Sequence, residues 1–321
     1  MSGIDDKRLI ENIPMKILAI DIGGSQFRTA LATVSDIGLQ FAPASGRSLA
    51  PDCTKEQLFA MLEKSIAESA PCGSYERIGV TIPGLADPVA GMWVYACFSG
   101  IRDVPIAKIL SEKYGNKPVF IANDVNACAL AERQFGVCKD TMDFLWITVS
   151  NGIGGGLILD GKIYDGHFGN AGEIGHCNVV EENGFRCGCG NFGCLEAEAA
   201  GPGIARRYAA LQKKELPYLS AREIAERART GEEDAKSIFD TTGRLIGKAA
   251  SYVVNILNIE KVVIGGGVSN SFDLLFPSME TSFRKKIFRD ANPQVRFEKT
   301  GLGLDAGLAG AVALAMKRNH N

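Results

Sequence analysis

The sequence predicts an α/β protein whose two lobes share one strand plan. The apolar segment K-I-L-A-I-D, which ends at Asp21, is typical of a buried strand and runs into Gly23-Gly24. A similar apolar segment, F-L-W-I-T-V-S, begins at Phe144 and also runs into a glycine turn. Segments with helical apolar spacing separate the two, and strands that alternate with helices are typical of α/β folds. At about 150 residues per domain, a chain of 321 residues favours two lobes.

The strands around each glycine turn follow the same order. In the first unit, F-R-T-A-L-A-T-V is predicted as the second strand, and Asp36-Ile37-Gly38 turns the chain into a third. In the second unit, N-G-I-G-G-G at 151–156 is the glycine turn and G-L-I-L is the next strand. Asp160-Gly161 then suits a type I′ hairpin turn, because both central positions of that turn need positive φ.

Helix signals fill the remaining segments. Thr54 and Gln57 form a capping box ahead of a helix, and Ser220 with Glu223 forms a second box. A long helix is predicted from about Asp234 to Leu257, followed by the strand K-V-V-I and three glycines. The last segment, A-G-L-A-G-A-V-A-L-A-M-K-R, is predicted as a small-residue helix suited to close packing.

Composition excludes several classes of partner. With 35 Lys and Arg against 37 Asp and Glu, the chain has no broad basic field, so we expect neither nucleic acid nor an anionic membrane as a partner. No apolar run reaches the roughly 18 residues that a membrane helix needs, and the first residues do not form a secretory signal. Of the nine cysteines, three lie in one cluster and the other six are scattered in a large chain, which favours reduced thiols and a cytoplasmic location over a disulfide framework.

Four residues in one glycine-rich stretch predict a metal site. One imidazole and three thiolates, the ligand set of a closed structural zinc site, are supplied by His176, Cys187, Cys189 and Cys194. Glu173 precedes the histidine by three residues, and Glu196 follows the last cysteine by two. The alternative is two surface acids, but the metal loop would fix both carboxylates, which are good acceptors for the hydroxyls of a polyhydroxylated substrate. The metal then shapes the pocket and takes no part in the chemistry.

The two glycine turns are candidates for phosphate binding. D-I-G-G-S-Q at 21–26 would expose backbone N–H groups to phosphate oxygens, with Asp21 facing the magnesium of a nucleotide. A plain glycine hairpin is the alternative for each turn, although two such turns favour a polyphosphate ligand. Two other glycine motifs are set aside: G-C-G-N-F-G at 188–193 has no strand before it, and Gly243 to Lys248 lies within a predicted helix.

Asn123 and Asp124 lie where a predicted strand gives way to a helix. Either residue is a good N-cap, which is the simplest interpretation of the pair. Only one of them can be the cap, however. We therefore favour Asp124 as a general base acting on a hydroxyl at the carboxyl end of the strand.

These motifs resemble one known family, the repressor, open-reading-frame and kinase (ROK) group of sugar kinases within the actin-like ATPase superfamily. The resemblance extends from Ile20 to Ala313 and includes D-I-G-G, G-V-T-I-P-G, A-N-D, A-G-E-I-G-H, C-G-C-G-N-F-G-C-L-E and V-I-G-G-G-V. It implies a two-lobed actin-like ATPase (ribonuclease H-like) fold with an interlobe cleft and a structural zinc loop. The expected domains are a small N-terminal α/β lobe at 1–123, completed by a C-terminal helix at about 305–321, and a large α/β lobe with the zinc-binding loop at 124–304.

The resemblance also implies a role for each motif, with ATP, Mg²⁺ and a structural Zn²⁺ as cofactors. Asp124 would take the proton from the 6-hydroxyl of a hexose. The sugar would be held by Gly84, Asn123, Asp124, Glu173, His176 and Glu196. The nucleotide would contact Asp21, Gly23, Gly24, Ser25, Asn151, Gly152, Gly154, Gly266 and Gly267. His176 would bond the zinc through its other ring nitrogen, alongside Cys187, Cys189 and Cys194.

The expected activity is that of an ATP-dependent hexokinase or glucokinase, with glucose as the leading substrate and fructose, mannose or an N-acetylhexosamine as alternatives. Asn151 stands where the family usually has Thr, which leaves a non-catalytic sugar-binding protein as another alternative. Ser25-Gln26 replaces the frequent Thr-Lys, and Phe98-Ser99-Gly100 stands where glucose-specific members often have Asn-Leu. A sugar-responsive repressor would carry a helix-turn-helix before the first sheet, where only about fourteen residues stand, too few for three helices of roughly 11 residues each. A homodimer is common among relatives.

Overall fold

The computed structural model describes residues 14–71, 73–96, 100–215 and 219–316. The chain divides into two compact units, one made of Met1–Lys139 with Asp305–Asn321 and the other of Asp140–Leu304. The pair Phe98-Ser99, considered above for sugar preference, lies outside the described residues.

The described residues form fourteen strands in three sheets. They are β1 (Met15–Ile22), β2 (Gln26–Ser35), β3 (Gly38–Phe41), β4 (Ser45–Ser48), β5 (Arg77–Ile82), β6 (Leu85–Asp87), β7 (Met92–Tyr95), β8 (Arg102–Val104), β9 (Val119–Asn123), β10 (Phe144–Val149), β11 (Ile153–Leu159), β12 (Lys162–Ile163), β13 (Lys261–Gly265) and β14 (Arg296–Lys299).

Nine α-helices are found in the same described ranges. They are α1 (Lys55–Ser69), α2 (Ile106–Lys113), α3 (Asp124–Gln134), α4 (Leu195–Ala199), α5 (Gly201–Leu211), α6 (Ala221–Arg229), α7 (Glu233–Leu257), α8 (Phe272–Arg284) and α9 (Ala306–Met316). Short 3₁₀ turns lie at Ile174–His176, Gly267–Ser271 and Gly303–Asp305.

The main sheet of the first unit has the order β3-β2-β1-β5-β9, with β4 also paired to β2. Strand β1 is antiparallel to β2 and parallel to β5. Its residues alternate between two cores: Ile17 and Ala19 pack with α9, whereas Leu18 and Ile20 lie in the core that contains the apolar face of α1. Burial on both faces explains why this strand is a continuous apolar run. The small-residue helix α9 is almost entirely buried, as its composition predicted.

The sheet of the second unit has the order β12-β11-β10-β13-β14. Strand β10 is antiparallel to β11 and parallel to β13, as β1 is to β2 and β5. The predicted repeat of one strand plan is therefore confirmed. The hairpin between β11 and β12 turns at Asp160 and Gly161, whose φ values of 50° and 70° confirm the predicted turn chemistry.

Both predicted capping boxes are confirmed. Thr54 with Gln57 and Ser220 with Glu223 form complete capping boxes at the starts of α1 and α6. Gly243 to Lys248 lies inside α7, so this segment does not form a P-loop. No helix among the described residues has the length and apolarity needed to cross a membrane.

Candidate functional site

In the first unit, the carboxylate of Asp21 is fixed at the end of β1. Asp21 is paired with Thr81 on the parallel strand β5, and the Thr81 hydroxyl donates a 2.7 Å hydrogen bond to Asp21 Oδ1. Helix α9 approaches so closely that a Cβ added at Gly307 would lie 2.3 Å from Asp21 Cγ. Burial raises the pKa of Asp21, while the Thr81 hydroxyl and the charge of Arg28 lower it. The carboxylate therefore has one orientation, set by two neighbouring elements.

The glycine turn after Asp21 joins β1 to β2. The N–H of Gly23 donates to the carbonyl of Gln26 at 2.8 Å, which closes the turn. Gly24 and Ser25 are exposed at its tip. This geometry leaves the tip accessible to a ligand, and the predicted phosphate contacts of Gly23, Gly24 and Ser25 stay predictions.

Asn123 caps the helix that begins at Asp124. Its Oδ1 accepts hydrogen bonds from the N–H groups of Val125 at 2.9 Å and Asn126 at 3.2 Å. Its Nδ2 donates to the carbonyl of Gly84 at 3.0 Å, so two of the predicted sugar-binding residues are in contact. Asn123 is thus the cap of the pair, which leaves Asp124 as the residue available for another role.

Asp124 is the first residue of α3 and has an unusual acidity. Its pKa is raised to about 7, first by burial and then by the negative charge of Asp21, against a backbone hydrogen bond from Val125 that lowers it. A general base works best when its pKa lies near the pH of the reaction. Asp124 therefore has the electrostatic environment of a base that exchanges a proton near neutral pH.

Two residues beside these carboxylates were missed from the sequence. Thr81 stands within G-V-T-I-P-G, but its contact with Asp21 follows from strand pairing, which spacing alone does not reveal. Cys128 lies one helical turn after Asp124, and burial together with the charges of Asp21 and Asp124 raises its pKa well above the ordinary value. The i, i+4 spacing of Cys128 was a signal that could have been used.

In the second unit, the four proposed zinc ligands come together. Their ligand atoms all lie within 4.8 Å of one another. His176 Nδ1 is 3.6 Å from Cys187 Sγ, and the Sγ atoms of Cys189 and Cys194 are 3.7 Å apart. Tetrahedral zinc, with bonds of about 2.3 Å to sulfur and about 2.0 Å to nitrogen, separates its ligands by roughly 3.5–3.8 Å. The residues fit a structural zinc ion.

The environment of each thiol differs. Burial raises the pKa of Cys187 and raises that of Cys194 to about 12, whereas the backbone N–H of Asn191 lowers the pKa of Cys189 to about 7. Zinc binds the thiolate form, so ion binding would release protons from this cluster. The second ring nitrogen of His176, Nε2, is 3.7 Å from Glu173 Oε2 and faces away from the Cys187 contact. This arrangement suits the predicted double role of the histidine.

Glu196 makes a contact that the sequence did not predict. Its Oε2 accepts a 3.0 Å hydrogen bond from the N–H of Ile153, the first residue of β11, directly after the glycine turn that joins β10 to β11. That turn is closed by the N–H of Ser150, which donates to the Gly152 carbonyl at 2.9 Å. A predicted sugar-binding carboxylate and a predicted phosphate turn are therefore joined directly.

A cavity of about 1020 Å³ opens beside the same turn. It brings together the predicted nucleotide residues Asn151 and Gly267, and Gly266 precedes it with a φ of 80°. Its wall includes Val268. The other lining residues come from α5, from α6 and the segment before it, and from the 3₁₀ turn, and they were not predicted; they include Pro202, Ala205, Leu219, Arg222, Arg229 and Asn270. The volume is at the upper end of the roughly 300–1,000 Å³ typical of ligand pockets.

One ion pair fixes the rim of this cavity. The guanidinium of Arg229 binds Asp273 through two hydrogen bonds, at 3.1 Å and 2.8 Å, and also donates to the Asn270 carbonyl at 3.1 Å. The same arginine lowers the pKa of Asp273. Helix α6 is thereby attached to the first turn of α8 next to the cavity.

Comparison with known proteins gives one family. A family model described as "ROK family" matches residues 17–318. The DNA-binding transcriptional dual regulator NagC of Escherichia coli (strain K12) is 34% identical over an alignment of 264 residues that covers 77% of this chain and 64% of that protein. The chain therefore spans less than two thirds of the length of this regulator.

Two further relatives are similar over nearly the whole chain. A glucokinase of Halalkalibacterium halodurans is 30% identical, with 95% of this chain and 96% of the relative covered. The crystal structure of a glucokinase from Streptomyces griseus in complex with glucose and AMPPNP has a TM-score of 0.80 and 28% identity, and covers 94% of this chain and 99% of that one.

Proposed function

The chain belongs to the ROK family, and from that premise we propose that it is an ATP-dependent kinase that phosphorylates the 6-hydroxyl of a hexose. Its α/β fold is that of ROK kinases of known structure. The observation that carries the proposal is the acidity of Asp124, whose pKa of about 7 suits a general base. The glucokinase relatives support glucose as the leading substrate.

Asp124 takes the proton of the sugar hydroxyl in this proposal. The pKa of this carboxylate is raised to about 7, so the group exchanges a proton near neutral pH. It can therefore accept a proton as the oxygen attacks phosphorus and return it afterwards. Asn123, which caps α3, holds the start of the helix in place and with it the base.

The phosphate groups are assigned to the two glycine turns. Phosphoryl transfer depends mainly on positioning and on neutralising charge, because the transition state spreads negative charge over several oxygens. We propose that two segments position the phosphates: the exposed tip at Gly24 and Ser25, and the turn at Asn151 to Gly154. Magnesium, when bound with ATP, neutralises phosphate charge, and Asp21 is the carboxylate proposed to hold it.

The cavity beside Asn151 and Gly267 is the proposed site of the adenosine. It has apolar walls at Ala205, Leu219 and Val268, which suit the faces of a purine. Polar groups at its rim would pair with the base edge or the ribose. The Streptomyces griseus relative, which binds AMPPNP, supports ATP as the donor.

The sugar is assigned to the zinc loop and to Asn123 and Gly84. Glu173 and Glu196 are carboxylates held by the loop, and His176 keeps one ring nitrogen for a hydroxyl while the other is directed to the metal cluster. A zinc ion bound by this loop would hold it in shape. Its four ligands would be His176, Cys187, Cys189 and Cys194.

A non-catalytic sugar-binding protein is the second candidate. NagC, a transcriptional regulator, is 34% identical to this chain over the matched region, and Asn151 departs from the kinase pattern. Related N-acetylglucosamine repressors are also 34% identical in sequence to this chain over the matched region, which adds N-acetylglucosamine to the sugars worth testing. Phosphorylation of any hexose by the purified protein excludes this candidate.

The test is a coupled assay for ADP release with glucose, mannose, fructose, N-acetylglucosamine and N-acetylmannosamine. We expect turnover with at least one hexose and a 6-phosphate as product by NMR. Sugar binding by calorimetry without ADP release from any hexose would contradict the kinase proposal and favour the second candidate. The Asp124→Asn variant controls for contaminating kinases, because their activity would persist in it.

We also propose a cytoplasmic location and a homodimer. The cysteines of the described ranges are all free thiols, which supports a cytoplasmic location. A homodimer stays a prediction from the family resemblance.

A further inference from the structure

The carboxylate of Glu196 lies directly against the glycine turn that the proposed function assigns to phosphate. Its Oε2 accepts the N–H of Ile153 at 3.0 Å. A Cβ added at Gly152 would lie 2.6 Å from the same Oε2 and 3.5 Å from Cδ. The turn and the carboxylate are therefore packed so closely that a side chain at position 152 would have to displace the Glu196 carboxylate.

The other side of Glu196 is attached to the metal loop. Glu196 is in the first turn of α4, whose N-cap is the proposed zinc ligand Cys194. The N–H of Leu195, which is fully buried, donates to the carbonyl of Cys177 at 3.0 Å. Because Glu196 directly follows these two anchored residues, the position of the loop can be transmitted through its side chain to the turn that it contacts.

Glu173, the other proposed sugar carboxylate, lacks this link. Within the described ranges its side chain pairs with His176, at 3.7 Å, and it is exposed. The two glutamates are thus alike in their proposed contact with sugar and differ in their contact with the turn. This difference makes Glu173 a matched control.

We propose that Glu196 is a positioning residue for the donor phosphates as well as a sugar ligand. One of its oxygens holds the N–H of Ile153 and keeps the turn in its binding conformation, while the other oxygen is left for a sugar hydroxyl. A sugar that immobilises the carboxylate then tightens nucleotide binding, and the nucleotide tightens sugar binding by the same factor. This inference rests on the proposed kinase function.

The test is the dissociation constant of Mg·AMPPNP, measured by calorimetry without sugar and with saturating D-glucose. Without sugar, we expect Glu196→Ala to weaken binding about 10-fold, which is of the order expected for losing a hydrogen bond to a charged group. Glu173→Ala should leave the sugar-free constant unchanged, although both variants lose glucose affinity. Glu196→Gln should have a sugar-free dissociation constant for Mg·AMPPNP close to that of wild type, since its amide oxygen still accepts the N–H of Ile153. In wild type, saturating glucose should lower the dissociation constant of AMPPNP. In Glu196→Ala, glucose should leave that constant unchanged.

A second variant keeps the carboxylate and breaks the contact. The methyl group of Gly152→Ala would displace Glu196 Oε2 and should weaken both AMPPNP and glucose. Zinc content and melting temperature establish that each variant is folded, and Gly152→Ala decides the question if Glu196→Ala does not fold. Equal sugar-free constants for wild type and Glu196→Ala would overturn the inference and leave the kinase proposal standing. Failure of the wild type to bind AMPPNP would overturn both.

Discussion

The Thr81 hydroxyl donates a 2.7 Å hydrogen bond to Oδ1 of Asp21, across the parallel pair of strands β1 and β5. Thr81 is completely buried, so its hydroxyl has no access to solvent as an alternative partner. The bond lowers the pKa of Asp21 and opposes the effect of burial, which raises it. Thr81 therefore favours the ionised, correctly oriented carboxylate that a magnesium–nucleotide ligand would need.

Replacing Thr81 with Val removes this hydroxyl at nearly constant volume. We expect the Mg²⁺ concentration for half-maximal activity to rise about 10-fold, because a hydrogen bond to a charged group is worth roughly 1.5–3 kcal/mol. A Mg²⁺ titration at saturating ATP and sugar measures this value. Thr81→Ser keeps the hydroxyl and should stay within a factor of about two. An unchanged Mg²⁺ requirement in the Val variant would exclude the positioning role of Thr81.

Asp124→Asn should abolish most of the turnover and leave sugar affinity nearly intact. The amide preserves the size of the carboxylate but cannot accept the proton, and general bases typically contribute about 10²- to 10⁴-fold. The measurement is kcat by ADP release, alongside glucose affinity by calorimetry. Activity equal to wild type would remove Asp124 from the mechanism.

The pH profile of the wild type tests the same residue without a substitution. A base must be deprotonated to act, and the pKa of Asp124 is raised to about 7. Activity as kcat/KM should therefore rise with pH through about pH 7 and fall about 10-fold per pH unit well below it. A profile that is flat between pH 5 and 8, roughly the range over which such a base changes its charge, would contradict this assignment.

The raised pKa of Asp124 also predicts how stability changes with pH. Between the ordinary pKa of 3.8 and about 7, the folded protein binds this proton and the unfolded chain has released it. The contribution of Asp124 to folding stability therefore declines as pH rises through this window. Asp124→Asn, which carries no charge, should be more stable than wild type at pH 8 by roughly 1–4 kcal/mol, at about 1.4 kcal/mol per unit of pKa shift.

Denaturant unfolding at pH 4 and pH 8, without ligand, measures this difference. The advantage of the variant over wild type should be present at pH 8 and nearly absent at pH 4. Asp36→Asn, at an exposed turn residue, serves as the control and should show no such dependence. A variant whose advantage is as large at pH 4 as at pH 8 would show that charge burial is not its cause.

Much of the fold was readable from local patterns. The continuous apolar run of β1 indicates a strand that is buried on both faces. The capping residues Thr54 and Ser220 indicate where helices begin, because each forms hydrogen bonds with the residue three positions later. The zinc cluster could also be predicted, because three of its ligands lie within eight residues and three cysteines with one histidine form a known ligand set of structural zinc. Such features depend on short-range chemistry, which sequence spacing records.

The missed features depend on contacts between distant segments. Thr81 reaches Asp21 through strand pairing across 60 residues, and Glu196 reaches Ile153 across 43. The pKa of Asp124 is set by burial and by the charge of Asp21, and neither is visible in the letters A-N-D. The cavity next to Asn151 is likewise assembled from three helical segments, so its lining could not be derived from any one of them.

Removing one zinc ligand should loosen the metal and the sugar together. We expect Cys189→Ala to bind zinc more than about 10-fold more weakly and to melt at a lower temperature, because ion binding contributes to folding of the loop. Glucose affinity should fall as well, since the loop carries Glu173 and Glu196. Metal content by mass spectrometry and calorimetry with glucose provide the readouts.

Cys177→Ala is the matched control for the zinc variant. Cys177 adjoins His176 in sequence but is not one of the four clustered ligands. Its replacement should leave zinc content unchanged. Purified wild-type protein that contains no zinc, or a Cys189→Ala variant with full zinc occupancy, would refute the proposed metal site.

Filling the cavity should separate nucleotide binding from sugar binding. Gly267 is exposed and lines the cavity, and a Cβ added there would meet nothing closer than Ser150 Oγ at 3.8 Å. Gly267→Leu should therefore fold normally and extend its side chain into the space proposed for adenosine. We expect AMPPNP affinity to fall at least about 10-fold, with glucose affinity and melting temperature unchanged, because neither depends on an open cavity. Gly267→Ala, whose methyl group leaves most of the volume open, should retain most of the affinity. If the leucine variant binds AMPPNP as tightly as wild type does, the adenosine does not occupy this cavity, and the donor site must be sought elsewhere.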